Sequence, residues 1–229
     1  MVVRDSVSTR ADSKREALSQ RIIDAALELF AETGYRGTTI PDVMARAEIG
    51  AGSLYRLFPS KEALINAVFR DAKQRLALAL QHPVPADAAP RELFDTIWSR
   101  LVAFARAEPV AFRFLELQDH VPYLDGESRQ LEVSVLAPIV LACMDFQRRG
   151  VFRADVGADV IMAFVWGAFV GLVKSARLGY LRLDSAAFDA ARDACWRAFA
   201  IDPPSTCSAA GSSRYSSTNK KRTAEWKRR

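Results

Sequence analysis

The residues best placed to do chemistry lie between Thr38 and Glu62, in the run TTIPDVMARAEIGAGSLYRLFPSKE, and the chemistry they suit is the reading of DNA. Thr39 and Asp42 have the spacing of a capping box, and Pro41 is tolerated in a first turn. A short helix therefore opens there and buries Ile40, Val43, Met44 and Ala47. Glu48, Ile49 and Gly50 make a turn, with the glycine where the chain changes direction. Ala51 to Phe58 form a second helix that buries Leu54, Leu57 and Phe58 and turns Ala51, Gly52, Ser53, Tyr55 and Arg56 outward. Small residues at its start allow close approach to base edges in a major groove about 12 Å wide. Arg56 suits either a guanine or a phosphate, and Tyr55 either donates its hydroxyl to a phosphate or packs its ring against the first helix. Ser60 caps the next helix, and Lys61 beside its N-terminal amides adds a cation where phosphate is already favoured. Thr38 and Thr39 are placed to contact the DNA backbone, and each serves equally as a cap.

Bond-breaking chemistry has no comparable constellation. His120 stands beside Asp119, but there is no paired nucleophile, ligand set or phosphate loop, and His82 and His120 read as structural. Cys143, Cys195 and Cys207 are odd in number and far from any histidine that would complete a zinc site, so the first two read as small core residues. No catalytic residue, metal or cofactor is expected.

The signature running through Phe30, Gly34, Tyr35, Thr38, Thr39, Ile40, Ala47, Gly52, Leu54, Tyr55, Phe58, Ser60, Lys61 and Glu62 resembles the tetracycline-repressor (TetR) family of bacterial regulators. The likeness covers roughly the first third of the chain. It departs from the family at Glu48, where glycine is usual, at Gly50, where serine or threonine is usual, and at Leu57, which replaces a frequent histidine. The resemblance implies a homodimer that holds double-stranded operator DNA and answers to a small-molecule effector. It also favours the phosphate role for Tyr55.

Elements must position these residues. The chain has 229 residues, a 50% hydrophobic composition and long segments at helical period, which together predict an all-α protein of two domains. Residues 1–12 read as a disordered arm, 13–60 as the helix-turn-helix domain, 61–82 as a connecting helix and 83–202 as a helical ligand-binding and dimerisation domain. Residues 203–229 read as a disordered basic tail. Ser13 with Glu16 caps a first helix carrying Ile22, Ile23, Ala26, Leu27 and Phe30, and Gly34 stops it. The net charge of +5 says little about DNA, because the tail alone holds seven basic and one acidic side chain. That tail is either a solvated end or a source of non-specific phosphate attraction. The opening MVVRDSVSTR has no apolar core for a signal peptide, so a cytoplasmic protein is expected.

Further helices are expected at 91–107, 109–118, 128–149, 158–178 and 185–200, with Pro138 kinking the third of them. Such a kink leaves room for a ligand or is simply packed. Pocket candidates are Trp98, Phe114, Gln118, Phe146 and Trp166, because ligand sites are mostly apolar with a few polar groups. The apolar run Val160 to Val173 is shorter than the ~20 residues that span a bilayer, so no membrane contact is expected. Gly167 and Gly171, in line with Phe164, permit close approach of another helix, from either the same subunit or a second one. The resemblance puts this helix and the last one, with Phe188 and Cys195, in a four-helix dimer interface. The functional expectation is an effector-controlled DNA-binding repressor. Two alternatives remain: an all-α apolar-ligand carrier or enzyme without DNA binding, and a DNA-binding regulator that answers to a protein partner.

Overall fold

In the computed structural model, residues 3–81 and 88–201 are described, with side chains from Asp12 onward. The tail at 203–229 and most of the expected linker lie outside the described residues. Among those described, the chain forms helices α1 (Val3–Gly37), α2 (Ile40–Arg46), α3 (Ala51–Leu57), α4 (Lys61–Leu80), α5 (Pro90–Ala107), α6 (Pro109–Glu116), α7 (Gly126–Arg148), α8 (Ala158–Arg177) and α9 (Ser185–Phe199). One isolated antiparallel bridge, Phe152 to Ala200, ties the end of α9 to the loop after α7. The all-α expectation holds.

Short elements at the N-terminal end are fixed by local hydrogen bonds. Gly34, at φ 73 and ψ 174, breaks the helical path of α1 where the sequence places its stop. The capping box of α2 forms as expected: the Asp42 amide donates to the Thr39 hydroxyl, and the Thr39 amide donates to the Asp42 carboxylate. Ser60 caps α4 by accepting from the Ala63 amide. The start of α1 differs from expectation. The helix begins at Val3 rather than at Ser13, so residues 3–12, read as a disordered arm, are its first turns.

The turn between α2 and α3 also differs in detail. Its left-handed residue is Glu48, at φ 52, while Gly50 is extended. Bonds from the Glu48 and Ile49 amides to the Ala45 and Met44 carbonyls close the end of α2. Glycine is the cheapest residue at such a φ, which gives the physical reason for the family's usual glycine there.

One continuous core joins the expected domains. Ile22, Phe30, Val43 and Leu54 of the head belong to the same buried cluster as Leu64, Val68 and Phe69 of α4 and Phe114 of α6. Arg75 of α4 reinforces the seam by pairing with Asp24 of α1, Asp71 of its own helix and Glu108 before α6. A second, smaller cluster, built on Cys143, Phe146, Phe152, Ile161 and Phe199, closes the far end of the body. α7 runs through Pro138 as one helix, with the ring on its exposed side.

Candidate nucleic-acid interface and ligand cavity

α3 is held from one side only. Leu54 is fully buried and Phe58 nearly so, which fixes the helix and leaves Ala51, Gly52, Tyr55 and Arg56 exposed, with Ser53 half-buried. Tyr55 is 51% exposed, so its ring is not spent on packing. An added Cβ at Gly52 would meet open space, so the glycine is not demanded by the protomer itself. Thr39 is exposed, with its hydroxyl donating to Asp42 at 2.6 Å.

Lys61 is half-buried, and its ammonium sits 4.2 Å from the centre of the Tyr35 ring. The Tyr35 hydroxyl donates to Glu62 at 2.5 Å, and burial together with that carboxylate pushes its pKa up to about 12. Tyr35 thus holds the first turn of α4 to the end of α1. Thr38 must be corrected. It is only 2% exposed, and its hydroxyl donates to the Gly34 carbonyl and meets that of Thr33, so its side chain is spent on sealing the break in α1.

The five pocket candidates separate into two groups. Trp98, Phe146 and Trp166 line an apolar cavity of about 80 Å³ between α5, α7 and α8, with Ile139 and Cys143 on the α7 wall. Phe114 and Gln118 do not reach it. Phe114 is fully buried against Phe30 and His120, and Gln118 donates its side-chain amide to the Phe30 carbonyl, so both brace the head against α6. His120 is structural as expected: one ring nitrogen pairs with the Phe114 carbonyl and the other with the Tyr123 hydroxyl, and burial holds its pKa below the ordinary value.

Two charged residues beside the cavity escaped the sequence reading. Lys73, on the buried stripe of α4, lies 3.4 Å from Glu132 of α7 and 3.9 Å from Glu116 at the end of α6. The Trp166 indole N–H donates to the other Glu116 oxygen at 2.7 Å. Burial pushes the Glu116 pKa up, and Lys73 and Trp166 oppose it. The available signal was Lys73 falling in phase with Phe69 and Leu76, where an apolar residue is the norm.

α8 is 20 residues long, yet only Ile161 and Phe169 are buried. Phe164 is 53% exposed, Gly167 is exposed, and an added Cβ at Gly167 or Gly171 would meet nothing within 4 Å. Among the described residues, no helix of the same subunit is seated on the glycines. On α9 the residues that the resemblance puts in the interface, Phe188 and Cys195, are 5% and 3% exposed and belong to the protomer's own core, as the core reading of Cys195 expects. The face that α9 turns outward carries Ala186, Ala190 and Ala194 instead. α7 and α8 are each long and apolar enough to cross a bilayer by length and composition, contrary to the shorter run read for α8. Both are nevertheless anchored in the protein's core, α8 through Phe169 and α7 through Phe146. No cluster of three or more histidine, cysteine or acidic side chains able to hold a metal exists among the described residues.

Comparison with known proteins converges on one family. The family model for bacterial regulatory proteins of the tetR family matches residues 22–68, and that for the tetracyclin repressor-like C-terminal domain matches residues 69–201. An HTH-type transcriptional repressor of Mycobacterium tuberculosis is 37% identical over 79 residues, 34% of this chain and 42% of that protein, so the chain spans less than half the length of that relative. The HTH-type transcriptional repressor KstR2 of Mycolicibacterium smegmatis is 28% identical over 67% of this chain and 78% of its own length. A solved structure of a putative TetR-family transcriptional regulator from Vibrio parahaemolyticus superposes with a TM-score of 0.67 at 26% identity, covering 81% of this chain and all of that one. With both family models matched in order from Ile22 to Ile201, the chain belongs to the TetR family of bacterial regulatory proteins.

Proposed function

We propose that the protein is a cytoplasmic, homodimeric transcriptional repressor, without enzymatic activity, that leaves a palindromic operator when a small, largely apolar molecule binds its body. The observation that carries this reading is the outward face of α3, where Ala51, Gly52, Tyr55 and Arg56 are exposed on a helix pinned by Leu54. The small residues admit the helix to the major groove, Arg56 and Ser53 read bases, and Tyr55, Thr39 and Lys61 hold phosphates. Relatives named as repressors support the direction of control.

The second copy docks on α8 and α9. The open Gly167 and Gly171, the exposed Phe164 and the alanine face of α9 support a close helix–helix contact, and covering them removes apolar surface from water without a membrane. Two α3 helices must then enter successive major grooves about 34 Å apart, and the effector lowers operator affinity by binding the mismatched spacing more tightly. The apolar cavity supports an effector of like character. Genomic binding-site sequencing with and without a panel of apolar metabolites tests the reading. Discrete sites that empty with one compound are expected, and a protein with no discrete sites contradicts it.

A further inference from the structure

We infer that Trp166, Glu116 and Lys73 form the link through which a molecule entering the cavity acts on α4, and so on the DNA-reading head. This rests on the ligand-responsive reading above and adds its route. The cavity holds about 80 Å³. Ligand pockets usually measure about 300–1,000 Å³, so occupation requires a wall to move.

Trp166 is the wall with a charged attachment. Its ring lines the cavity, and its N–H is bonded to Glu116 outside it. The other Glu116 oxygen has no hydrogen-bond donor and stands 3.9 Å from Lys73, too far for a hydrogen bond. Lys73 is the shared cation: its buried ammonium is nearer to Glu132 of α7, at 3.4 Å, than to Glu116 of α6. Displacing Trp166 strips Glu116 of its one close donor and leaves its buried carboxylate with only the Lys73 ammonium 3.9 Å away, a costly state in a low-dielectric site. Lys73 relieves that state by leaving Glu132 for Glu116. A second arrangement is thus inferred beside the one in the structure, in which Lys73 is nearer Glu132, and passing between them moves the helix that carries Lys73.

That helix is α4, and its first turn is tied to the head. Tyr35 of α1 bonds Glu62 and lies under Lys61, while Asn66 donates to the Tyr123 carbonyl of the α6–α7 loop. A shift of Lys73 relative to α6 and α7 is therefore delivered to residues beside the proposed phosphate contacts.

A tethered probe tests the link without knowledge of the natural effector. Cys143 lines the cavity, so hexyl methanethiosulfonate, in a Cys195→Ala, Cys207→Ser background, joins a hexylthio chain to the Cys143 sulfur as a mixed disulfide, with methanesulfinate leaving and single addition verified by mass. Operator affinity is read by fluorescence anisotropy before and after this modification. The parent is expected to lose about tenfold or more, and Trp166→Phe, which keeps a ring but lacks the N–H, less than about threefold. Glu116→Gln, which keeps an acceptor but removes the charge that draws Lys73, provides a second variant and is expected to behave like Trp166→Phe. Thermal melts establish that each is folded. If both folded variants lose operator affinity on modification as the parent does, the link is wrong. If the modified parent keeps its affinity, the ligand-responsive cavity itself is wrong, and the link falls with it.

Discussion

α3 and α8 each turn a face away from the protomer, and the two faces are left in opposite conditions. On α3 the outward residues are small or polar, Ala51, Gly52, Tyr55 and Arg56, and water satisfies them when nothing else is bound. On α8 they are Val160, Phe164 and Gly167, whose apolar surface costs roughly 25 cal/mol for every Å² left in water. In the proposed function the first helix is complete alone and binds by adding charge-assisted and groove contacts, whereas the second is completed by a second copy. An exposed recognition face must therefore be inferred from the types of residue it carries, whereas an exposed assembly face announces itself by the absence of cover.

The largest effect sharpens the comparison by striking the inward side of α8. Phe169 is fully buried against Trp98, Phe112 and Phe188, so Phe169→Ala should cost about 3–5 kcal/mol of folding stability, read by chemical denaturation. A loss within experimental error of zero would mean that α8 is not anchored in the core.

The outward side of the same helix should respond in a different currency. An added Cβ at Gly167 or Gly171 meets no described atom of the subunit within 4 Å, so in Gly167→Leu with Gly171→Leu the protomer's melting temperature should hardly change. Sedimentation should then show monomers, with operator affinity down by about tenfold or more, as expected when overpacking costs the dimer ~1–3 kcal/mol. A tight dimer from this variant would place the interface elsewhere.

On α3, Arg56→Ala should weaken operator binding by about 1–3 kcal/mol and relax base preference at one position, leaving stability unchanged because the side chain is exposed. Tyr55→Phe and Lys61→Ala should weaken all sequences alike, and the lysine variant should flatten the salt dependence by about one unit of slope. Unchanged anisotropy titrations for all three would remove α3 and the start of α4 from the interface.

The smallest effect concerns the turn that aims α3. Glu48 adopts a left-handed φ of 52, which costs a side chain about 1–2 kcal/mol, partly offset by the greater freedom of glycine in the unfolded chain. Glu48→Gly should raise stability by up to about 1 kcal/mol, and a destabilised variant would show that the Glu48 side chain makes a compensating contact.

Legibility in the sequence followed the range of the interactions. The stop at Gly34 and the caps at Thr39 and Ser60 depend on residues within a few positions, and each forms where its spacing placed it. Tyr55 and Arg56 were readable as outward because Leu54 and Phe58 fix the phase of α3. Thr38 was misread because nothing in its type separates a hydroxyl that bonds the carbonyl four residues back, here that of Gly34, from one that faces outward. Phe114 and Gln118 show the limit of aromatic and polar content as a guide to pockets, since nothing local says that they meet Phe30, far back in the chain. Phe188 and Cys195 failed for a related reason. The resemblance names the helix and not its outward face, and here Phe188 and Cys195 fill the protomer and leave the alanines outside. Glu116 carries no local mark at all, because its two carboxylate contacts, Lys73 of α4 and Trp166 of α8, come from distant parts of the chain.

The most direct test of the account is selection of bound sequences from random double-stranded DNA by the intact protein. A dimer joined through α8 and α9 that presents two α3 helices should enrich an inverted repeat, with half-site centres one helical turn apart, about 10–10.5 base pairs, or a compatible multiple. Enrichment of a single unrepeated half-site would contradict the paired presentation of α3, and no enrichment over input would contradict sequence reading by α3 altogether.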